Sequence, residues 1–270
     1  MAAFGTDFQK YTSPLLYVPS NPAGWWRGLG FMLLIAVAYL ILQSVAGLAI
    51  SILGFQADWD DKPALIKASI IGVLPASIPI AALIWWISKH RGGVPCDVLA
   101  LRLPRLGWLG WPLVVFGFII AMFIVFNLVA YVFHVDLSQF QMGADGEMEA
   151  QDLVKQGMTE MASDPILYWL AFLSVVVGAP IGEELIFRGY MFSLLSKTRA
   201  GLSGATLVTS AFWALLHKGT GPWFLAGVLF IMGIVLGGLL IRFGSLWVTM
   251  ICHAAWNTVA ALTIFGGFDQ

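Results

Sequence analysis

The sequence predicts an all-α protein, a polytopic transmembrane helical bundle of about seven to eight spans, and three observations predict it. First, 59% of its 270 residues are hydrophobic and only 11% are charged, with a mean hydropathy of +0.86. A soluble domain usually carries about 45–50% apolar and about 25% charged residues, so no water-soluble fold of this length hides so much apolar surface. Second, the apolar residues fall into runs of roughly 20, the length a helix needs to cross a bilayer core. Third, Trp25, Trp26, Trp85, Trp86, Trp108 and Trp111 stand at the ends of such runs, as interfacial aromatic belts do.

In chain order, the spans are expected near 28–55, 65–88, 108–134, 165–181, 201–217, 223–241 and 246–266. Residues 1–27 are expected to form an irregular interfacial lead-in, because Pro14, Pro19 and Pro22 oppose helix. They lack the charged-then-apolar pattern of a cleavable leader, and the first apolar run is too long for one, so it is expected to be a retained span. The connection after the first span is acidic (Asp58, Asp60, Asp61), and the next is basic (Lys89, Arg91, Arg102, Arg105). Residues 135–164 form a long acidic connection. Gly178, Pro180 and Gly182 are expected to break the fourth span, which gives an eighth span if the segment after Pro180 crosses separately. Gly227, Gly233, Gly237 and Gly238 are expected to let the sixth span pack closely. No internal repeat is evident.

Charge sets orientation and excludes some partners. With the N-terminus inside, the inner side receives Lys10, Arg27, Lys89, Arg91, Arg102, Arg105, Arg188, Lys197, Arg199 and Arg242. The outer side receives Lys62, Lys67, Lys155 and Lys218. Ten against four favours N-in, C-out, with the Glu183–Arg199 stretch as a cytoplasmic connection. The net charge of −1 gives no basic face for nucleic acid. Two cysteines, Cys96 in a polar loop and Cys252 in an apolar run, are too few for a disulfide scaffold.

Ionisable groups at membrane depth are costly and mark a task. Here they come in three clusters with a four-residue spacing that sets side chains on one helix face. In Gly182-Glu183-Glu184-Leu185-Ile186-Phe187-Arg188, Glu184 and Arg188 are positioned to pair, which leaves Glu183 to bind a water. As a rival reading, a solvated helix after the fourth span would carry the same residues as surface charges. Trp213 and His217 close the fifth span, and His253 and Asn257 lie in the last. His90 and His134 sit at span ends and are expected to be interfacial. A carboxylate and an imidazole sharing one water can deprotonate it as it attacks a carbonyl, while an amide and a second imidazole donate to the oxyanion. Glu183, Glu184, His217 and His253 are equally the donor types that ligate a divalent metal such as zinc, although no His-Glu-x-x-His helix is present. Both chemistries stand on the residues alone.

Taken together, the clusters resemble the CPBP (Abi) family, the type II CAAX prenyl endopeptidases and their bacterial bacteriocin-processing relatives. The family pattern is Glu-Glu-x-x-x-Arg, aromatic-x-x-x-His and His-x-x-x-Asn on successive membrane helices. It is matched by Glu183, Glu184 and Arg188, by Trp213 and His217, and by His253 and Asn257. Trp213 stands where Phe is the commoner aromatic, a departure expected to affect packing rather than chemistry. The resemblance covers roughly 165–266 and implies three regions: the lead-in 1–27, N-terminal helices and acidic outer loop 28–164, and a catalytic transmembrane core 165–266.

The resemblance also implies an intramembrane endopeptidase acting on a membrane-associated or lipidated peptide or protein. In it Glu183 and His217 activate water, His253 and Asn257 stabilise the oxyanion, Arg188 orients the glutamates and Glu184 supports them. Older descriptions of the family assign the same residues to a metal. The compact chain suggests a bacterial relative, in the cytoplasmic membrane with its site opening toward the cytoplasm. Two other functions compete: a proton-coupled transporter, which predicts paired repeats with broken helices, and a non-catalytic scaffold or immunity factor of the same fold.

Overall fold

In a computed structural model, the chain is described over residues 16–21, 24–54, 62–90, 94–135, 160–161, 163–217 and 223–265. Those residues form helices and connections, without strands. The helices are α1 (Trp25–Gly54), α2 (Lys62–His90), the short α3 (Pro95–Val98), α4 (Gly110–Val132), α5 (Pro165–Leu195), α6 (Gly201–Leu216), α7 (Trp223–Phe243) and α8 (Leu246–Phe265). Segments of α1, α2, α4, α5 and α7 are long and apolar enough to cross a membrane, so this is a multi-pass membrane protein. The seven expected spans correspond to seven helices, but two do not meet that criterion. Helix α6 is short, at 16 residues, and α8 is interrupted by His253, Asn257 and three threonines. The acidic connections lie mostly outside the described residues.

The expected break at Pro180 does not occur, which removes the basis for an eighth span. Asp164 caps α5, its Oδ1 accepting from the Ile166 and Leu167 amides at 2.8 and 3.2 Å, and Pro165 follows where a missing N–H is harmless. The helix then runs 31 residues to Leu195. It absorbs Pro180 through two wide π-helical turns, Ser174–Gly178 and Leu185–Met191. Carbonyls near the first of these find side-chain donors on neighbouring helices. Ser77 Oγ lies 2.7 Å from the Gly178 oxygen, and Asn257 Nδ2 donates to Val175 O at 2.9 Å. In a bilayer such replacement is what makes irregular helix tolerable.

The described part of the N-terminal lead-in, residues 16–21, is packed rather than merely interfacial. Tyr17 is buried against Phe192 and donates its amide to Ile241 O at 2.9 Å. Asn21 Nδ2 donates to Ser193 Oγ at 3.1 Å, and Lys197 Nζ donates to the Asn21 carbonyl. At the same end, the Leu246 amide that opens α8 donates to Ala100 O at 2.7 Å, and Arg102 pairs with Asp97. Arg27, Lys89, Arg102, Arg105, Lys197, Arg199 and Arg242 therefore gather at one end of the bundle, where the orientation argument groups them. Arg188 does not join them. It is buried inside α5, which reduces the ten basic residues to nine. Residues 183–195 are likewise helix rather than connection.

The core lies among α2, α4, α5, α6, α7 and α8, whereas α1 presents Leu33, Leu34, Leu40, Ile41 and Val45 outward, as a lipid-facing helix does. Among the four glycines of α7, a Cβ at Gly233 would come 2.7 Å from Ser210, and one at Gly237 would come 2.7 Å from Thr206. Gly227 sits against Val129. Gly238 faces open space, which corrects the expectation for that position. Both cysteines are free thiols.

Candidate active site

All three polar clusters meet between α5, α6 and α8, about 18 Å along α5 from its end at Leu195, given twelve residues at 1.5 Å each. They meet as two groups of opposite character. One is closed. The side chains of Glu184 and Arg188 are fully buried and pair at 3.0 Å through Glu184 Oε1 and Arg188 Nη1, and His253 Nδ1 lies 3.0 Å from the same oxygen. A carboxylate held by arginine only accepts, so His253 Nδ1 carries the hydrogen. The guanidinium carbon of Arg188 sits 4.5 Å from the centroid of the Trp213 ring, which places the cation over an aromatic face. Its Nε and Nη2 have no hydrogen-bond partner among the described residues.

The other group is open. Glu183 and His217 side chains are 12% and 33% exposed, and Glu183 Oε1 lies 3.8 Å from His217 Nε2. That separation is beyond a direct hydrogen bond and within the span of one bridging water. The tautomer follows from the other nitrogen: His217 Nδ1 lies 2.8 Å from Trp213 O, and a carbonyl can only accept. Neutral His217 therefore turns a basic Nε2 toward Glu183.

Trp213 joins the two groups. It is 1% exposed, and its Nε1–H donates to Glu183 Oε2 at 2.5 Å. Its ring meets His217 and His253 edge-on, with centroids 5.2 and 5.4 Å away. The expectation that Trp in place of Phe affects packing alone is thus corrected, because Phe has no N–H to donate. Asn257 is at the site but turns its amide toward Val175 O, which commits one of its two N–H donors to helix α5. His90 packs at a tilt against Trp86 at a helix end, and His134 is exposed, so both lie apart from the site.

Sequence reasoning missed the residues behind Glu183. A Cβ at Gly182 would come 2.9 Å from Ser77 Oγ and 3.3 Å from the Tyr39 hydroxyl, so glycine lets α1 and α2 approach at that point. Neither Tyr39 nor Ser77 stands in any motif. Among the described residues, no three His, Cys, Asp or Glu side chains are grouped to hold a metal ion. The donors open to zinc by residue type form two pairs: Glu184 with His253, engaged with each other while Glu184 also pairs with Arg188, and Glu183 with His217, where Glu183 already accepts from Trp213. They do not fit one ligand set.

The chain is 33% identical over 90 residues to the sporulation-killing factor biosynthesis protein SkfC of Bacillus subtilis (strain 168). The aligned region covers 32% of this chain and 18% of that protein, so the chain spans under a fifth of the length of the curated relative it matches. No solved structure matches it. Residues 165–259 match the family model described as type II CAAX prenyl endopeptidase Rce1-like. That interval begins with α5 and contains every residue of the two groups just described, and over it the chain is similar to the type II CAAX prenyl endopeptidases of the Rce1-like family.

Proposed function

We propose that the protein is an intramembrane endopeptidase that hydrolyses a peptide bond in a membrane-associated substrate of the prenylated CAAX type. The observation that carries this reading is the 3.8 Å gap between Glu183 Oε1 and His217 Nε2, two partly exposed bases fixed from behind by Trp213. One water donating to both is activated by removal of a proton as its oxygen attacks the scissile carbonyl. The carbonyl oxygen becomes an oxyanion that accepts from the second N–H of Asn257. His253 contributes only as imidazolium, because its Nδ1–H is already given to Glu184 and Nε2 must carry a second hydrogen to donate. Collapse expels the amine, which takes its proton from the Glu183–His217 pair, and atoms balance as peptide plus water giving acid plus amine. The excluded bulk solvent strengthens each of these interactions. The basic end of the bundle is read as the cytoplasmic face, with the site lying at depth between the two faces.

The test uses wild type and Glu183→Gln, purified in detergent and incubated with an internally quenched farnesylated peptide ending in a CAAX sequence, with and without chelator. Chelator-insensitive cleavage by wild type, lost in Glu183→Gln while the unfolding temperature holds, is the expected result. Equal rates in the two proteins remove the assignment. Cleavage that follows bound zinc keeps the site and replaces the mechanism.

A further inference from the structure

We propose that Trp213 is the positioning residue of this site, its indole N–H holding Glu183 Oε2 so that Oε1 faces His217; this rests on the peptidase reading above. The contact is between a donor-only group and a carboxylate at 2.5 Å, a charge-assisted bond of the strong class. What gives it force is the contrast in freedom of the two partners. Glu183 is partly exposed at the open group, and a glutamate side chain loses considerable rotamer entropy when held in one conformation. Trp213 is 1% exposed and cannot turn, because Arg188 lies over its face and both histidines abut it. A rigid indole therefore transmits the order of the closed group to the carboxylate of the open one. The backbone of the same residue performs a parallel task, since Trp213 O receives His217 Nδ1. One residue thereby sets the carboxylate rotamer with its side chain and the imidazole tautomer with its carbonyl, so both bases around the water are oriented from position 213. Trp213 touches Glu183 and His217, the two groups that hold the water, and acts on the water only through them, which makes it a positioning residue and not a catalytic one.

The prediction separates the N–H from the ring. Replacing Trp213 with β-(3-benzothienyl)alanine keeps the shape and the face over Arg188 and deletes only the donor. With the farnesylated CAAX peptide, kcat is expected to fall about ten- to a hundredfold, the effect of a misplaced catalytic group, with KM within about twofold. Trp213→Phe is expected to show the same loss with some added instability. Undiminished kcat in the benzothienyl protein, alongside an inactive Glu183→Gln, overturns the inference and leaves the peptidase reading standing. Wild-type cleavage by Glu183→Gln removes that reading instead.

A measurement independent of turnover tests the contact itself. In protein labelled with 15N-indole tryptophan, the resonance missing from Trp213→Phe belongs to Trp213. It is expected downfield in wild type and shifted upfield in Glu183→Ala; an unmoved signal overturns the contact whatever the protein cleaves.

Discussion

At the scale of the residue, Glu183 and Glu184 are adjacent in sequence and opposite in circumstance. Glu184 is sealed with Arg188 and His253, and removing one member of such a group strands a buried charge, at about 3–5 kcal/mol. Arg188→Met is therefore expected to lower the unfolding temperature sharply in detergent. The double variant Arg188→Met, Glu184→Gln is expected to recover part of the loss, because it leaves no isolated charge. A double variant no more stable than the single one contradicts the pairing. His217 belongs to the open group, and at 33% exposure its loss should barely affect stability. His217→Ala is expected to reduce cleavage of the farnesylated peptide by roughly 10²–10⁴ at an unchanged unfolding temperature. The pairing of Glu184 with Arg188 was legible in the sequence because four residues on a helix bring side chains together. The Trp213–Glu183 bond was not legible, because it joins residues 30 apart on different helices and depends on a single indole hydrogen.

At the scale of the element, α5 carries most of what the sequence could not convey. Gly178, Pro180 and Gly182 read as a broken span, yet the helix continues because wide turns make room for Pro180 and other helices satisfy the carbonyls. Periodicity within one segment contains no record of donors offered by α2 and α8. Asn257 illustrates the consequence: its motif spacing suggested an oxyanion donor, and its amide also ties α8 to α5. Asn257→Ala is thus expected to lose about 1–3 kcal/mol of stability through the unpaired Val175 carbonyl, besides any effect on rate, and an unchanged unfolding temperature would count against that tie. Helix α7 offers a paired control. Gly233→Ala drives a methyl to within 2.7 Å of Ser210 and 2.9 Å of Arg188 Nη2, and is expected to destabilise by about 1–3 kcal/mol as overpacking does. Gly238→Ala meets nothing within 4 Å and is expected to be neutral or to gain up to about 1 kcal/mol of helix propensity. Thermal unfolding of the two variants side by side distinguishes close packing from a generic preference for glycine.

At the scale of the whole molecule, the helical class and the seven segments were legible because apolar runs of membrane length admit few other structures. The depth of the site was not, since apolar content alone does not show that residues 183–195 continue α5 or that α6 is only 16 residues long. The orientation expected is the one that charge favours. The lead-in, the 94–102 segment, the end of α5 and the junction of α7 with α8 are hydrogen-bonded into one end of the bundle, and that end carries the arginines and lysines. Moving this cluster across a bilayer opposes the bias that sets topology, so the basic end is expected to face the cytoplasm. Two exposed positions at opposite ends test it, Arg105 before α4 and His134 after it. In a Cys96→Ser, Cys252→Ser background, a membrane-impermeant maleimide applied to intact cells should label His134→Cys and spare Arg105→Cys. Inside-out vesicles should reverse the pattern. Labelling of Arg105→Cys in intact cells would turn the molecule over, placing the basic end and the N-terminal segment bound to α5 on the outer face.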